Sequence, residues 1–181
     1  PPILLVHGVC GDRNTFNSTF FEDSGFDTYV LDYNNYQGQG PLLIHSGMER
    51  TLPFSDLPNR ATGDIVRYSQ VLDYAISLIK SDTGAPKVDI VGHSMGGLLA
   101  KKYVLNNGSS SLNKLLFIGT PHLGAPYAAK ALLWGDNLGV KLVFPFLDPA
   151  RVKYIAQNMA AVYELLPGRE YINRNGRYYF D

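Results

Sequence analysis

The chain has 181 residues, 45% of them hydrophobic, which is enough for one domain with a sizeable core. Sixteen basic and sixteen acidic side chains cancel, which argues against nucleic acid or an anionic membrane surface as partner and leaves a neutral or amphiphilic molecule. Cys10 is the only cysteine, so an intrachain disulfide is excluded, and neither a signal peptide nor a run of about 18 apolar residues that could span a membrane is visible.

In chain order, Ile3 to Val6 reads as a buried strand running into the Gly-rich turn His7-Gly8-Val9-Cys10-Gly11. His7 is expected to brace this turn by hydrogen bonding. Cys10 reads as a small apolar filler, since no His-Asn pattern supports a cysteine mechanism. Asp12 to Ser24 predicts a short helix with Phe16, Phe20 and Phe21 on one face. Thr28 to Leu31 is a second strand, with Asp32 fixing the turn after it. Asn34 to Gly63, with Pro41, Pro53 and Pro58 and no sustained periodicity, reads as a long loop bordering a cleft, and His45 within it as a solvated residue. Asp64 to Ile79 has Ile65, Tyr68, Leu72, Ala75, Ile76 and Ile79 at helical spacing and predicts a helix that covers the sheet.

Lys87 to Val91 is a β-branched run introduced by Gly84-Ala85-Pro86, and it leads into Gly92-His93-Ser94-Met95-Gly96. This is G-x-S-x-G between a strand and a helix, the pattern of a nucleophile elbow, which lifts a serine hydroxyl above the carboxyl end of a sheet. Met95, Leu98, Leu99 and Val104 predict the helix, and Asn107-Gly108 its stop. Ser94 is the candidate nucleophile. An oxyanion hole needs two converging backbone N–H groups, and Met95 and Val9 are the candidate donors, with Cys10 replacing Val9 if the turn is shifted by one residue. Gly8, Gly92, His93 and Gly96, with His7, are the expected elbow and loop support.

Leu115 to Ile118 predicts a fourth buried strand, followed by the turn Gly119 to Pro126. Alternating strands and helices argue for an α/β protein with a parallel sheet covered on both faces. From Tyr127 to Leu166 the chain becomes helical and apolar: Ala128 to Trp134, Leu142 to Leu147, and Val152 to Leu165. It is either a lid that meets acyl chains or a packed helical subdomain. The expected organisation is a core over 1–126, a lid-like segment over 127–166 and the start of the remaining core over 167–181.

A catalytic serine needs a base and an orienting carboxylate, which in this architecture follow in the order Ser, Asp or Glu, His. Only His122 follows Ser94, and no acidic residue lies between Met95 and Pro121. His122 is therefore the less favoured base, and the acid and histidine are expected beyond Asp181, the domain being incomplete without its last strands.

Val6-His7-Gly8, the elbow from Gly92 to Gly97, and Gly119-Thr120-Pro121-His122-Leu123-Gly124 together resemble α/β-hydrolase lipases. The last of these, with Tyr163-Glu164-Leu165-Leu166-Pro167, is similar to the lecithin:cholesterol acyltransferase branch. The resemblance implies an α/β-hydrolase fold, Ser94 as nucleophile, Met95 and Val9 as oxyanion donors, a lid, acyl ester or lipid substrates, and no metal or cofactor. The expected activity is that of a lipase or esterase acting through an acyl-enzyme, with acyl transfer or a non-catalytic binding domain as alternatives. A transient meeting with a lipid surface through 127–166 is the further partner expected.

Overall fold

The computed structural model describes residues 1–9, 11–34, 40–54, 64–136 and 148–168. They fall in two compact units, Pro1–Thr120 and Pro121–Asp181.

In the first unit the strands are β1 (Ile3–Val6), β2 (Thr28–Asp32), β3 (Leu42–His45), β4 (Met48–Thr51), β5 (Val88–His93) and β6 (Leu112–Ile118). They form one sheet in the order β4-β3-β2-β1-β5-β6. β2, β1, β5 and β6 are parallel neighbours, and β3 and β4 add an antiparallel hairpin at one edge. The helices are α1 (Ser18–Asp23), α2 (Ile65–Thr83) and α3 (Met95–Asn107).

Side chains alternate along each strand, so the pairing register sorts the core into two faces. Ile3, Leu5, Val30 and Val91 share one face, against which Phe16, Phe21 and Ile44 pack. Leu4, Val6, Leu31 and Ile90 point the other way and are buried. α2 packs on α3 and β5, burying Tyr68, Val71, Leu72, Ala75, Ile76 and Ile79. Its ends are sharply set. The Asp64 carboxylate accepts the Arg67 N–H at 2.5 Å, and Gly84 closes the helix at φ +67°, a left-handed conformation that glycine adopts without strain.

Three expectations for this unit need correction. The segment Asn34 to Gly63 is not one loop, because Leu42 to Thr51 pairs into β3 and β4 through Ser46 (φ +48°) and Gly47 (φ +76°), a two-residue turn whose positive φ values suit a hairpin. The hairpin lies at the sheet edge three strands from β5, not beside the elbow. His45 accordingly is a strand residue: it stacks on Tyr29 at 4.1 Å and its Nε2 lies 2.7 Å from Asp27 Oδ1. The remainder of the proposed loop, 35–39 and 55–63, lies outside the described residues, as does Cys10.

The first helix is also shorter than its aromatic spacing suggested. Asp12 opens a turn instead, its carboxylate accepting the Asn14 N–H at 2.8 Å, and Phe16 packs on the core from outside α1. Finally, β6 is an edge strand among the described residues and not buried: Leu116 is 56% exposed, and Phe117 and Ile118 are exposed as well.

The second unit contains α4 (Pro126–Trp134), α5 (Pro149–Gln157) and α6 (Ala160–Glu164). The single helix expected over Val152 to Leu165 is therefore two, broken at Asn158-Met159; the Leu142–Leu147 segment lies outside the described residues. α4 packs on α5 and α6. Gly124, at φ +97°, meets the Leu166-Pro167 backbone so closely that no β-carbon would fit, and the Ala125 N–H donates to the Leu165 carbonyl at 2.7 Å.

Ile76 is fully enclosed beneath the sheet, so Ile76→Ala should cost about 2–5 kcal/mol. Asp64→Ala removes only a cap and should cost about 1 kcal/mol. Urea denaturation of the two variants checks the order, and a larger loss for Asp64→Ala would contradict this packing.

Candidate active site at the carboxyl edge of the sheet

The pairing of β1 with β5 matches Val6 with Gly92, so the turn after β1 and the turn after β5 leave the sheet side by side. His7-Gly8 thus stands next to His93-Ser94. What allows the turns to meet is the absence of side chains. A β-carbon on Gly8 would stand 2.7 Å from Ser94 Cβ, and one on Gly92 2.7 Å from Gly97 Cα. One on Gly96 would strike the carbonyl oxygens of Val6 and His7. Gly97 is constrained likewise by the Thr120 hydroxyl and the Phe117 ring.

Ser94 itself adopts φ +53°, ψ −122°. A positive φ in a residue with a β-carbon costs on the order of 1–3 kcal/mol and persists only where the surroundings impose it. Here the Ser94 N–H donates to the Ile118 carbonyl at 2.8 Å, and the Ser94 carbonyl accepts the Gly97 N–H at 3.1 Å as α3 begins. The side chain does not cap the helix. An ordinary N-cap serine has extended backbone and accepts an N–H from the first turn; Ser94 does neither. Met95 is the first residue of α3 and is buried, so its N–H lies at the positive end of the helix dipole. Val9 is half-buried in the turn after β1.

His7 is completely buried and is held from several sides. Its Nδ1 lies 2.8 Å from the Gly8 carbonyl, its own carbonyl accepts the Tyr33 hydroxyl at 2.9 Å, and its ring stacks on Tyr33 at 4.1 Å. These contacts tie His7 to the turn after β1 and to Tyr33. The sequence did not reveal what lies behind it. His7 Nε2 is 3.5 Å from Asp32 Oδ1, Arg13 Nε donates to Asp32 Oδ2 at 3.4 Å, and Arg13 also pairs with Glu49 on β4. Asp32 is buried and serves the His7 and Arg13 network rather than only a turn. The signal was present in principle: β1 and β2 pair Val6 with Leu31, which places their next residues, His7 and Asp32, together.

Five buried side-chain atoms have no hydrogen-bond partner among the described residues: His7 Nε2, both amide atoms of Asn34, His93 Nδ1 and Thr120 Oγ1. They belong to residues that end or follow the four parallel strands, the edge that carries Ser94. Buried polar groups are ordinarily paired, and unpaired ones gather at sites with work to do.

His122 falls in the second unit and is exposed on the turn before α4. Among the described residues no cluster of His, Cys, Asp or Glu could hold a metal ion.

Burial, with the nearby His7 second, pulls the His93 imidazole below its usual 6.5, so the ring is neutral at pH 7. The unfolded chain takes up that proton at a higher pH than the native chain. The stability involved is therefore complete above about pH 6.5 and falls as the pH drops toward the lowered native value. His93→Phe should flatten that part of a curve of melting midpoint against pH, and an unchanged slope would contradict the desolvation of the ring. Gly96→Ala must push apart two backbones and should destabilise by about 1–3 kcal/mol or more in urea denaturation; a neutral effect would contradict the close approach.

The chain is similar to known proteins. The triacylglycerol lipases of Pseudarthrobacter phenanthrenivorans and Burkholderia plantarii are each 32% identical to the chain over 127 residues, 70% of its length. The chain spans about a third of those relatives, 35% and 31% respectively. The mature form of a Bacillus licheniformis lipase matches 93% of the chain and 55% of its own length, with a TM-score of 0.59 at 22% identity. Its propeptide form matches 93% of the chain and 30% of its own length, with a TM-score of 0.60 at 21% identity. These likenesses establish the α/β-hydrolase fold. The profile of lecithin:cholesterol acyltransferase matches residues 61–178, which include α2, the elbow and the turn from Gly119 to Pro126. With that match extending over more than half of its length, the chain belongs to the lecithin:cholesterol acyltransferase family.

Proposed function

We propose that this chain carries the nucleophile and the oxyanion hole of a serine hydrolase acting on carboxylic esters, a lipase or esterase. The observation that carries the proposal is the backbone of Ser94, held at positive φ between β5 and α3 with its side chain withheld from helix capping. Strain of that kind needs a use, and exposing a hydroxyl is one.

In this mechanism Ser94 Oγ gives up its proton to a base and attacks the ester carbonyl. The carbonyl oxygen gains the negative charge and is held by the Met95 and Val9 N–H groups, the former aided by the α3 dipole. Collapse of the tetrahedral intermediate breaks the bond to the alcohol, which leaves with the proton returned by the base. Water then releases the acid from the acyl-enzyme by the same steps. The base in this mechanism is a histidine, and His122 is the one candidate that follows Ser94 within these 181 residues.

Two features support a lipid ester. The curated relatives are triacylglycerol lipases. The second unit also presents Tyr127, Lys130 and Trp134 at helical spacing on α4, with the Lys130 ammonium 5.0 Å from the Tyr127 ring, and exposed Arg151, Tyr154 and Ile155 on α5. Aromatic and basic side chains together suit the boundary between lipid headgroups and acyl chains, and on this reading the segment 127–166 is the lid that meets it.

A fluorophosphonate probe should label the full-length protein, and Ser94→Ala should abolish the label. A folded parent that stays unlabelled would favour a non-catalytic binding domain. Trp134 is the only tryptophan of these 181 residues; the part of the emission lost in Trp134→Phe should shift to the blue on addition of phosphatidylcholine vesicles, and an unmoved difference spectrum would contradict the lid assignment.

A further inference from the structure

A nucleophile elbow constrains the residues two before and two after the serine and leaves the residue before it open. In this chain that residue, His93, is tightly placed. It ends β5, and the pairing of Val6 with Gly92 sets it beside His7, on the sheet face where Phe16 packs. Its ring meets Phe16 edge-on, at 6.5 Å and 90°. The point where a β-carbon of Gly8 would stand lies 2.7 Å from Ser94 Cβ and 3.2 Å from His93 Nδ1. The serine and the imidazole therefore flank the same glycine.

Nδ1 is buried and has no hydrogen-bond partner among the described residues, while the ring borders the β-carbon position of Gly8 and meets Phe16. Gly8 has no side chain of its own to limit how far its turn can slide along β5, so the bulk of a neighbouring ring can set that limit.

We propose that His93 is a positioning residue: its ring sets the turn at Gly8 against Ser94 and so fixes where the Val9 N–H points. The inference rests on the assignment of Ser94 as nucleophile and Val9 as oxyanion donor. A displaced donor matters because misplacement by about 1 Å can cost on the order of 100-fold in rate, and loss of one oxyanion donor about 100- to 1,000-fold. The neutral state of the imidazole suits this role, since a charge at this position would face His7.

The test uses the full-length protein with p-nitrophenyl butyrate as substrate and compares His93→Ala, His93→Leu and His93→Phe, with thermal melts to establish that each is folded. His93→Ala should lower kcat about 10- to 100-fold with KM little changed. His93→Phe, which restores a ring of similar size, should recover most of that loss, and His93→Leu should fall between. A folded His93→Ala with parental kcat, or one altered only in KM, would overturn the proposal. So would a folded His93→Phe as slow as His93→Ala, because the imidazole nitrogens and not the ring volume would then matter. Should His93→Ala not fold, the comparison of His93→Leu with His93→Phe decides on the same terms. A parent that the fluorophosphonate fails to label would remove the nucleophile itself, whereas a labelled parent whose variants all keep parental kcat would remove only the role given to His93.

Discussion

The approach of Gly96 to the carbonyl oxygens of Val6 and His7 fixes the geometry from which the site is built. Helix α3 can start where it does only because no side chain intervenes, and with it go the turn at Ser94 and the position of Met95 at the helix N-terminus. The parallel pairing of β1 with β5 supplies the other half, since it brings the turn at Gly8 to within a methyl group's width of the serine. Backbone strain at Ser94 and the unpaired polar atoms along this edge are costs, offset by the enclosed core beneath and by α2, α3 and the aromatic contacts around the sheet.

Around that centre the structure places a rigid support and a network that was harder to foresee. His7 is fixed by Tyr33, the Gly8 carbonyl and Asp32, and Arg13 extends the connection to β4 at the sheet edge. The hairpin therefore does more than terminate the sheet, for it holds one end of a chain of charges that leads back to the turn beside the serine.

Much of this was readable from residues. The G-x-S-x-G pattern between an apolar run and a helical one marked the turn between β5 and α3, because the constraints there are local: glycines where backbones touch, and a helix with a stop at Gly108. α2 was equally clear from its periodicity and its Asp64 and Gly84 ends. The β3 and β4 hairpin was not, because four-residue strands carry too little alternation to stand out among prolines and glycines, and Ser46-Gly47 is a modest turn signal. The helix break at Asn158-Met159 was hidden for a similar reason, since apolar spacing continues across it. Asp32 was underrated because its partners, His7 and Arg13, come from the segment after β1, and only strand register brings that segment beside it. The exposure of β6 could not be read from an apolar run, which looks the same in a central strand and in one at an edge.

The most direct test of the account is the crystal structure of the full-length protein after reaction with a phosphonate inhibitor. Phosphorus bonded to Ser94 Oγ, with its unesterified oxygen within hydrogen-bond distance of both the Met95 and Val9 nitrogens, is the predicted result. An adduct whose oxygen points away from those two amides, or phosphorus bonded to another residue, would contradict it.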